Sequence, residues 1–384
     1  MLTVIFFVTI ALGLIFSKSK HIRIVQYAVI ILVFVFNSWY QDDQAYRRIY
    51  SGYYGLSHEP GFDLLCQICY KNGVSFETFR MIFVSFAIIL LLVSLKKLFK
   101  NPSNRAYSLI LLYPLLPFVE LLRNLMAIAI VTYGIAWFFS VDKVTIKRKI
   151  GYAFIILIGA TFHYNVLFFL VLLLGDNKKK KLNPYKQIVV LSVLSIAICN
   201  LPFFNGFIRV LFKSEKVNVW FASTNRIGWG IGLVLLFHIV SFIIYDLTYR
   251  AYLSKQCWNI DTLFSEKREK ALSIEINGVS IVKKKSNKGF GYDISDKLYL
   301  LNVYSFALMG FYTFNTEFFA RLYSFILLLN CFQMSTVIRK IKNKNTVILG
   351  ILQVVYHIAM FLFFCQPFNG DGIMAFILQN NFLF

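Results

Sequence analysis

Long apolar runs broken by short polar segments set the character of this chain. A helix that crosses a bilayer needs about 20 mainly apolar residues, and runs of that order recur from one end of the sequence to the other. The first, Leu2 to Phe16, is followed by Lys18, Lys20 and Arg23 and lacks both a basic leader and an Ala-x-Ala site. It reads as an anchored first helix with its N-terminus outside. Further spans are predicted near Ile22 to Trp39, Phe76 to Leu95, Ala106 to Phe118, Leu121 to Ser140 and Gln187 to Phe203. The series continues with Gly228 to Tyr249, Leu298 to Phe314, Phe318 to Ile338 and Thr346 to Phe364.

Ile150 to Leu174 needs a different solution. It lies between Lys147, Arg148 and Lys149 on one side and the Lys178 to Lys181 run on the other, so one crossing would put a basic cluster outside. Two full crossings would need about 40 residues. A re-entrant pair of short helices, bent near Thr161, Phe162 and His163, keeps both clusters inside. The pattern therefore predicts an all-α polytopic membrane protein with about 10 transmembrane helices plus a re-entrant pair. Residues 1–384 form one integral domain, with an extracytoplasmic loop at 40–75, the re-entrant pair at 150–174 and a basic cytoplasmic loop at 249–297. No internal repeat is found.

Composition agrees with the pattern. The chain is 58% hydrophobic, 18% aromatic and 15% charged, whereas a soluble domain carries about 25% charged residues. A water-soluble globular protein is excluded. The net charge of +22 would suit a nucleic-acid binder, but the basic residues lie in short clusters between apolar runs, where they determine topology. Six scattered cysteines (Cys66, Cys69, Cys199, Cys257, Cys331 and Cys365) suggest neither a disulfide framework nor a zinc site.

Lysine and arginine are distributed differently. On this topology the inner loops hold 24 Lys and 6 Arg, and the outer side holds 3 Lys and 7 Arg. Any cation can orient a helix, but arginine holds phosphate through a planar fork and keeps its charge when partly buried. The outer set is Arg47, Arg48, Arg80, Arg123, Arg209, Arg226 and Arg321. Arg123 and Arg321 fall within apolar stretches, which makes them functional candidates. The alternative is a local ion pair, Glu120 with Arg123 or Glu317 with Arg321.

Loop 40–75 adds Asp42, Asp43, Glu59 and Asp63 beside Arg47 and Arg48. Its tyrosines Tyr40, Tyr46, Tyr50, Tyr53 and Tyr54 suit either stacking on sugars or a membrane-interface belt. His163, at the bend of the re-entrant pair, either satisfies broken backbone or faces a ligand, binding phosphate or moving a proton. His238 and His357 lie in unbroken apolar spans and read as packing residues. The loop around Glu266 to Lys288 is assigned no chemistry.

Five short motifs resemble those of the EpsG family of membrane polysaccharide polymerases, Wzy-like proteins of exopolysaccharide, capsule and O-antigen pathways. Asp42-Asp43-Gln44-Ala45-Tyr46, followed by Tyr50, is similar to the family's Asp-x-x-x-Tyr segment. Glu59-Pro60-Gly61-Phe62 is similar to its Glu-Pro-Gly motif, and Arg123-Asn124-Leu125-Met126-Ala127 to its Arg-Gln-x-x-Ala helix start. Phe162-His163-Tyr164-Asn165 resembles Phe-His-x-Ser, and Ala320-Arg321-Leu322 after Glu317 resembles a late Ala-Arg-Leu segment. The motifs occur in the family's order, with Asn124 in place of Gln, Asn165 in place of Ser and no arginine before Asp42.

The resemblance implies a GT-C-like polymerase bundle in the bacterial plasma membrane. The implied reaction transfers a glycan from polyprenyl diphosphate to the non-reducing end of another lipid-linked repeat at the outer face, with no cofactor and no metal. It places Asp42, Asp43, His163, Arg123 and Arg321 in catalysis, and Arg47, Arg48, Glu59, Tyr46, Tyr50, Arg226 and Glu317 in substrate binding. The expected partners are the lipid-linked oligosaccharide, the bilayer, and a chain-length regulator and flippase of the same pathway, with no nucleic acid. A flippase for the same lipid and a membrane sugar O-acyltransferase are the competing functions.

Overall fold

The computed structural model describes residues 2–37, 42–52, 59–100, 102–119, 121–141, 144–173, 183–199, 201, 229–254, 291–313, 316–340 and 344–365. Among the described residues the regular structure is helical throughout. In chain order the α-helices are α1 (Leu2–Ile15), α2 (Lys20–Val35), α3 (Asp43–Tyr50), α4 (Pro60–Lys71), α5 (Phe76–Phe99), α6 (Asn104–Leu112), α7 (Leu122–Phe138) and α8 (Ile146–Ala160). The series ends with α9 (Pro184–Cys199), α10 (Trp229–Ser254), α11 (Gly291–Ser305), α12 (Thr316–Lys340) and α13 (Lys344–Phe364). Short 3-10 helices cover Leu116–Val119, Tyr164–Leu173 and Phe306–Thr313.

Each predicted span overlaps a helix among the described residues. Four stretches are long and apolar enough to cross a membrane: Phe76–Phe99, Gly232–Ala251, Arg321–Arg339 and Thr346–Phe364. Leu2–Ile15, Leu122–Phe138, Tyr164–Leu173 and Pro184–Cys199 are apolar but shorter. The surface is as informative as the length. On α5, Ile82, Phe86, Ile89 and Val93 form an exposed stripe at helical spacing, and α9 and α13 carry similar exposed Val, Ile and Leu faces. Such stripes are unfavourable in water and neutral in lipid, so the fold fits a polytopic membrane protein.

Local signals set the helix ends. Ser19, Ser75, Ser103 and Thr145 each accept a hydrogen bond from a backbone N–H in the first turn that follows, capping α2, α5, α6 and α8. Helix α6 stops at Leu112, short of the predicted end at Phe118. Tyr113, which precedes Pro114, is extended (φ −169°, ψ 138°), as a residue before proline prefers. Pro117 then confines the chain to a single 3-10 turn before α7 begins.

One apolar core runs from Phe6 to Cys365. Several buried polar groups pair across helices. Asn104 joins the α1–α2 connection to α6, its amide donating to the carbonyls of Phe16 and Ser19 at 2.7 Å each. Asn302 and Asn330 exchange amide hydrogen bonds of 2.8 and 2.6 Å between α11 and α12. Asp246 on α10 is buried and accepts from the phenols of Tyr185 (2.5 Å) and Tyr299 (2.8 Å), with Arg250 at 2.8 Å. That carboxylate ties α9, α10 and α11 together.

The segment predicted as a re-entrant pair is a helical hairpin. Helix α8 ends at Ala160, Thr161 to His163 turn the chain, and the 3-10 helix Tyr164–Leu173 packs back on α8. The Tyr152 hydroxyl donates to Phe169 O at 2.9 Å across the hairpin. Cys66 is buried, and burial pushes its thiol up to about 12, as befits a packing residue.

Candidate functional site

The loop between α2 and α5 supplies two short helices that pack on each other. Tyr46 of α3 meets Phe62 of α4 edge-on at 5.7 Å, and Phe62 continues onto Phe83 of α5 at 5.6 Å. Proline at the first turn of α4 suits the fixed φ and missing N–H of that residue. Glu59, just before it, is held in extended conformation at 4% exposure.

Gly61 docks this loop on the hairpin bend. Its N–H donates to Thr161 O at 2.9 Å. A Cβ here would stand 2.2 Å from Thr161 Oγ1 and 3.2 Å from Thr161 O, so the approach requires glycine. Phe162, beside Thr161, meets the same Phe83 ring that receives Phe62.

The docking places Glu59 between two residues that are remote in sequence. Its Oε2 pairs with Arg123 at the start of α7, and its Oε1 lies 2.6 Å from His163 Nδ1. A carboxylate accepts, so Nδ1–H donates, which fixes the imidazole and leaves Nε2 as the outward nitrogen. His163 Nε2 is buried and has no hydrogen-bond partner. The Arg123 guanidinium lies 5.5 Å over the Tyr46 ring and 6.0 Å from that of Phe62, and it donates to the Tyr46 phenol. Burial pushes that phenol above the usual tyrosine range, with the Arg123 charge opposing. Arg321 on α12 is within electrostatic reach of His163.

Four of the motifs are thereby joined: Tyr46, Glu59, Arg123 and His163 touch in one chain of contacts, and Arg321 stands nearby. Glu120, the alternative partner for Arg123, lies outside the described residues; among the described residues Arg123 pairs with Glu59. Arg226, Arg209, Tyr40, Tyr53 and Tyr54 also lie outside the described residues, as does the side chain of Glu317.

The remaining candidates belong to the loop itself. Asp43 is buried and holds Arg47 Nε at 2.5 Å one turn on, while Arg47 also pairs with Glu77 and lies 4.8 Å over Phe76. Asp43 and Arg47 are thus engaged with each other and with α5. Asp42 begins α3 half-buried, and Arg48 is exposed. Tyr50 is expected either to stack on sugar or to lie in a membrane-interface belt. Instead it is buried among Tyr70, Phe76 and Phe79, with its hydroxyl donating to Val74 O at 2.6 Å. Its ring faces are used in loop packing, and burial raises its phenol to about 12. Arg80, one of the seven candidate arginines, is buried and donates to the carbonyls of Val35 and Phe34 at 3.2 and 3.4 Å. It satisfies the open end of α2.

Two features of the site go beyond the roles read from the motifs. Glu59 is the hub of the cluster, and Asn124 and Asn165 are buried next to Arg123 and His163. The adjoining motifs were the only signal for either. Among the described residues no group of three or more His, Cys, Asp or Glu could hold a metal ion. No curated protein and no solved structure matches the chain. The sequence model of the EpsG family matches residues 22–375, nearly the whole length, and the chain belongs to the EpsG family.

Proposed function

We propose that the protein is a polysaccharide polymerase of the bacterial plasma membrane. It takes a glycan from polyprenyl diphosphate and joins it to the non-reducing end of a second lipid-linked repeat at the outer face. The family suggests a membrane polysaccharide polymerase, and the observation that carries the finer reading is the buried bridge from Arg123 through Glu59 to His163.

In this reading the acceptor hydroxyl approaches His163 Nε2. Its oxygen attacks the anomeric carbon of the donor, the bond from that carbon to the diphosphate oxygen breaks, and the diphosphate leaves with the electron pair. The hydroxyl proton passes to Nε2, and Glu59 stabilises the imidazolium that forms. Charge on the leaving group is met in this reading by Arg321, and no metal is needed. Arg123 is neutralised by Glu59, so its part is to hold that carboxylate and the Tyr46 ring. Asp43 anchors the loop through Arg47, and this reading assigns the base to His163 rather than to Asp42 or Asp43.

The re-entrant disposition of 150–174, an extracytoplasmic N-terminus and about 10 crossings belong to the same proposal. Liposomes holding the purified protein and lipid-linked repeats, extracted from cells that lack this gene, provide the test. Wild type is expected to yield long polymer, and His163→Gln only single repeats at equal protein abundance. Long polymer from His163→Gln would remove the base assignment, and none from wild type would remove the polymerase reading. Movement of the repeat across the bilayer without elongation would support a flippase in its place.

A further inference from the structure

Five buried polar atoms without a hydrogen bond lie on the bridge residues and their sequence neighbours; Glu59 Oε2 and Arg123 Nε belong to the ion pair, and His163 Nε2 has a role in the reaction proposed above. The other two are Asn124 Oδ1 and Asn165 Nδ2, on residues only 2% and 4% exposed. A buried polar group left unpaired is unfavourable, and native structures keep few of them unless a water or ligand completes the bonding.

Their placement is specific. Asn124 follows Arg123 on α7, and Asn165 comes two residues after His163, so each adjoins a residue that grips Glu59. Gly159 fixes how the two segments meet. A Cβ there would lie 3.4 Å from Val131 Cγ2, 3.4 Å from Val166 Cγ2 and 3.6 Å from Ala127 O. Helix α7 therefore presses its 127/131 face on the hairpin just below the bend. Asn124 is one turn from Ala127 toward the start of α7, and Asn165 is the neighbour of Val166. Asn124 thus shares the 127/131 face of α7, and Asn165 lies on the hairpin arm that this face meets.

We propose that Asn124 and Asn165 form the acceptor-sugar subsite beside His163 and determine which terminal sugar is extended. This rests on the polymerase reading. A sugar hydroxyl both donates and accepts one hydrogen bond, and the junction offers one orphan acceptor, Asn124 Oδ1, and one orphan donor, Asn165 Nδ2. A site built to bond a hydroxyl discriminates strongly against a sugar that lacks it, because its own buried groups are then left unpaired. Neighbouring hydroxyls held this way would leave the reactive one at Nε2.

The test separates binding from folding. Asn124→Leu and Asn165→Leu remove the orphan atoms and retain a branched apolar side chain, and Asn124→Ala and Asn165→Ala avoid added bulk. The probe is the repeat oligosaccharide freed of polyprenyl diphosphate by mild acid. It keeps the acceptor end, lacks the leaving group, and inhibits polymerisation in the liposome assay by occupying the acceptor site. For each position the inhibition constant is expected to rise about threefold to tenfold, the value of one lost neutral hydrogen bond. The change in kcat should be smaller, and the melting temperature of the substrate-free protein should be unchanged or higher. Unchanged inhibition in all four variants, or a loss that only follows a lowered melting temperature, would overturn the subsite. Absence of polymer from wild type would overturn the polymerase reading and this inference with it.

Discussion

Glu59 joins an arginine and a histidine at 4% exposure, and that burial sets what substitution does. Removing one member of a buried pair leaves the other charge uncompensated, a loss of about 3–5 kcal/mol. Glu59→Ala is therefore expected to lower the amount of folded protein, measured as membrane-extracted monomer, as well as polymer. The arginines should separate by geometry. Lysine keeps the charge but not the fork, so Arg123→Lys cannot hold Glu59 and the Tyr46 phenol together, and Arg321→Lys loses bidentate phosphate contact. Both should give strong loss of polymer at normal abundance, whereas Arg268→Lys in the loop 249–297 should be silent; equal tolerance at all three would remove the arginine argument. Asp43 is a contrasting case. Its partner Arg47 is substantially exposed, where an ion pair contributes about 0–1 kcal/mol. Asp43→Asn is expected to keep polymer length on gels near wild type, and single repeats alone would return the base to that carboxylate.

At the scale of elements, the proposed catalysis depends on how helix α4 meets the α8 hairpin. The contact is narrow: one backbone hydrogen bond from Gly61 and a glycine face pressed on Thr161. Gly61→Ala forces Thr161 or the loop to shift, with an overpacking penalty of about 1–3 kcal/mol. It should separate Glu59 from His163 and reduce polymer sharply while leaving the helices in place, as read by polymer length beside thermal unfolding. Gly232→Ala in α10, where an added Cβ meets nothing within 4 Å, is the matched control and should be neutral. Helix positions were legible from apolar runs. The 3-10 form of Tyr164–Leu173 and the early end of α6 were not, because apolar runs look alike whichever helix they form.

For the whole molecule, the proposed topology is tested by impermeant cysteine labelling in a background with Cys69→Ser and Cys257→Ser. A cysteine at Gln67, exposed on α4, should react from outside, and one in the Asn177 to Lys181 run only after the membrane is opened. Labelling of the second from outside would remove the re-entrant assignment and the depth given to His163. The sequence by itself determined that the chain is a helical membrane protein, where its helices lie and which short motifs carry polar chemistry. Those properties follow from local apolar length and from charges that must avoid lipid. Tertiary structure alone decided the partnerships. Glu59 and His163 are 104 residues apart, and nothing local marks them as neighbours. The same is true of Arg80 at the end of α2 and of Tyr50 within an aromatic cluster. A charge in a sequence has many available partners, and only packing, by removing water and fixing distance, selects one.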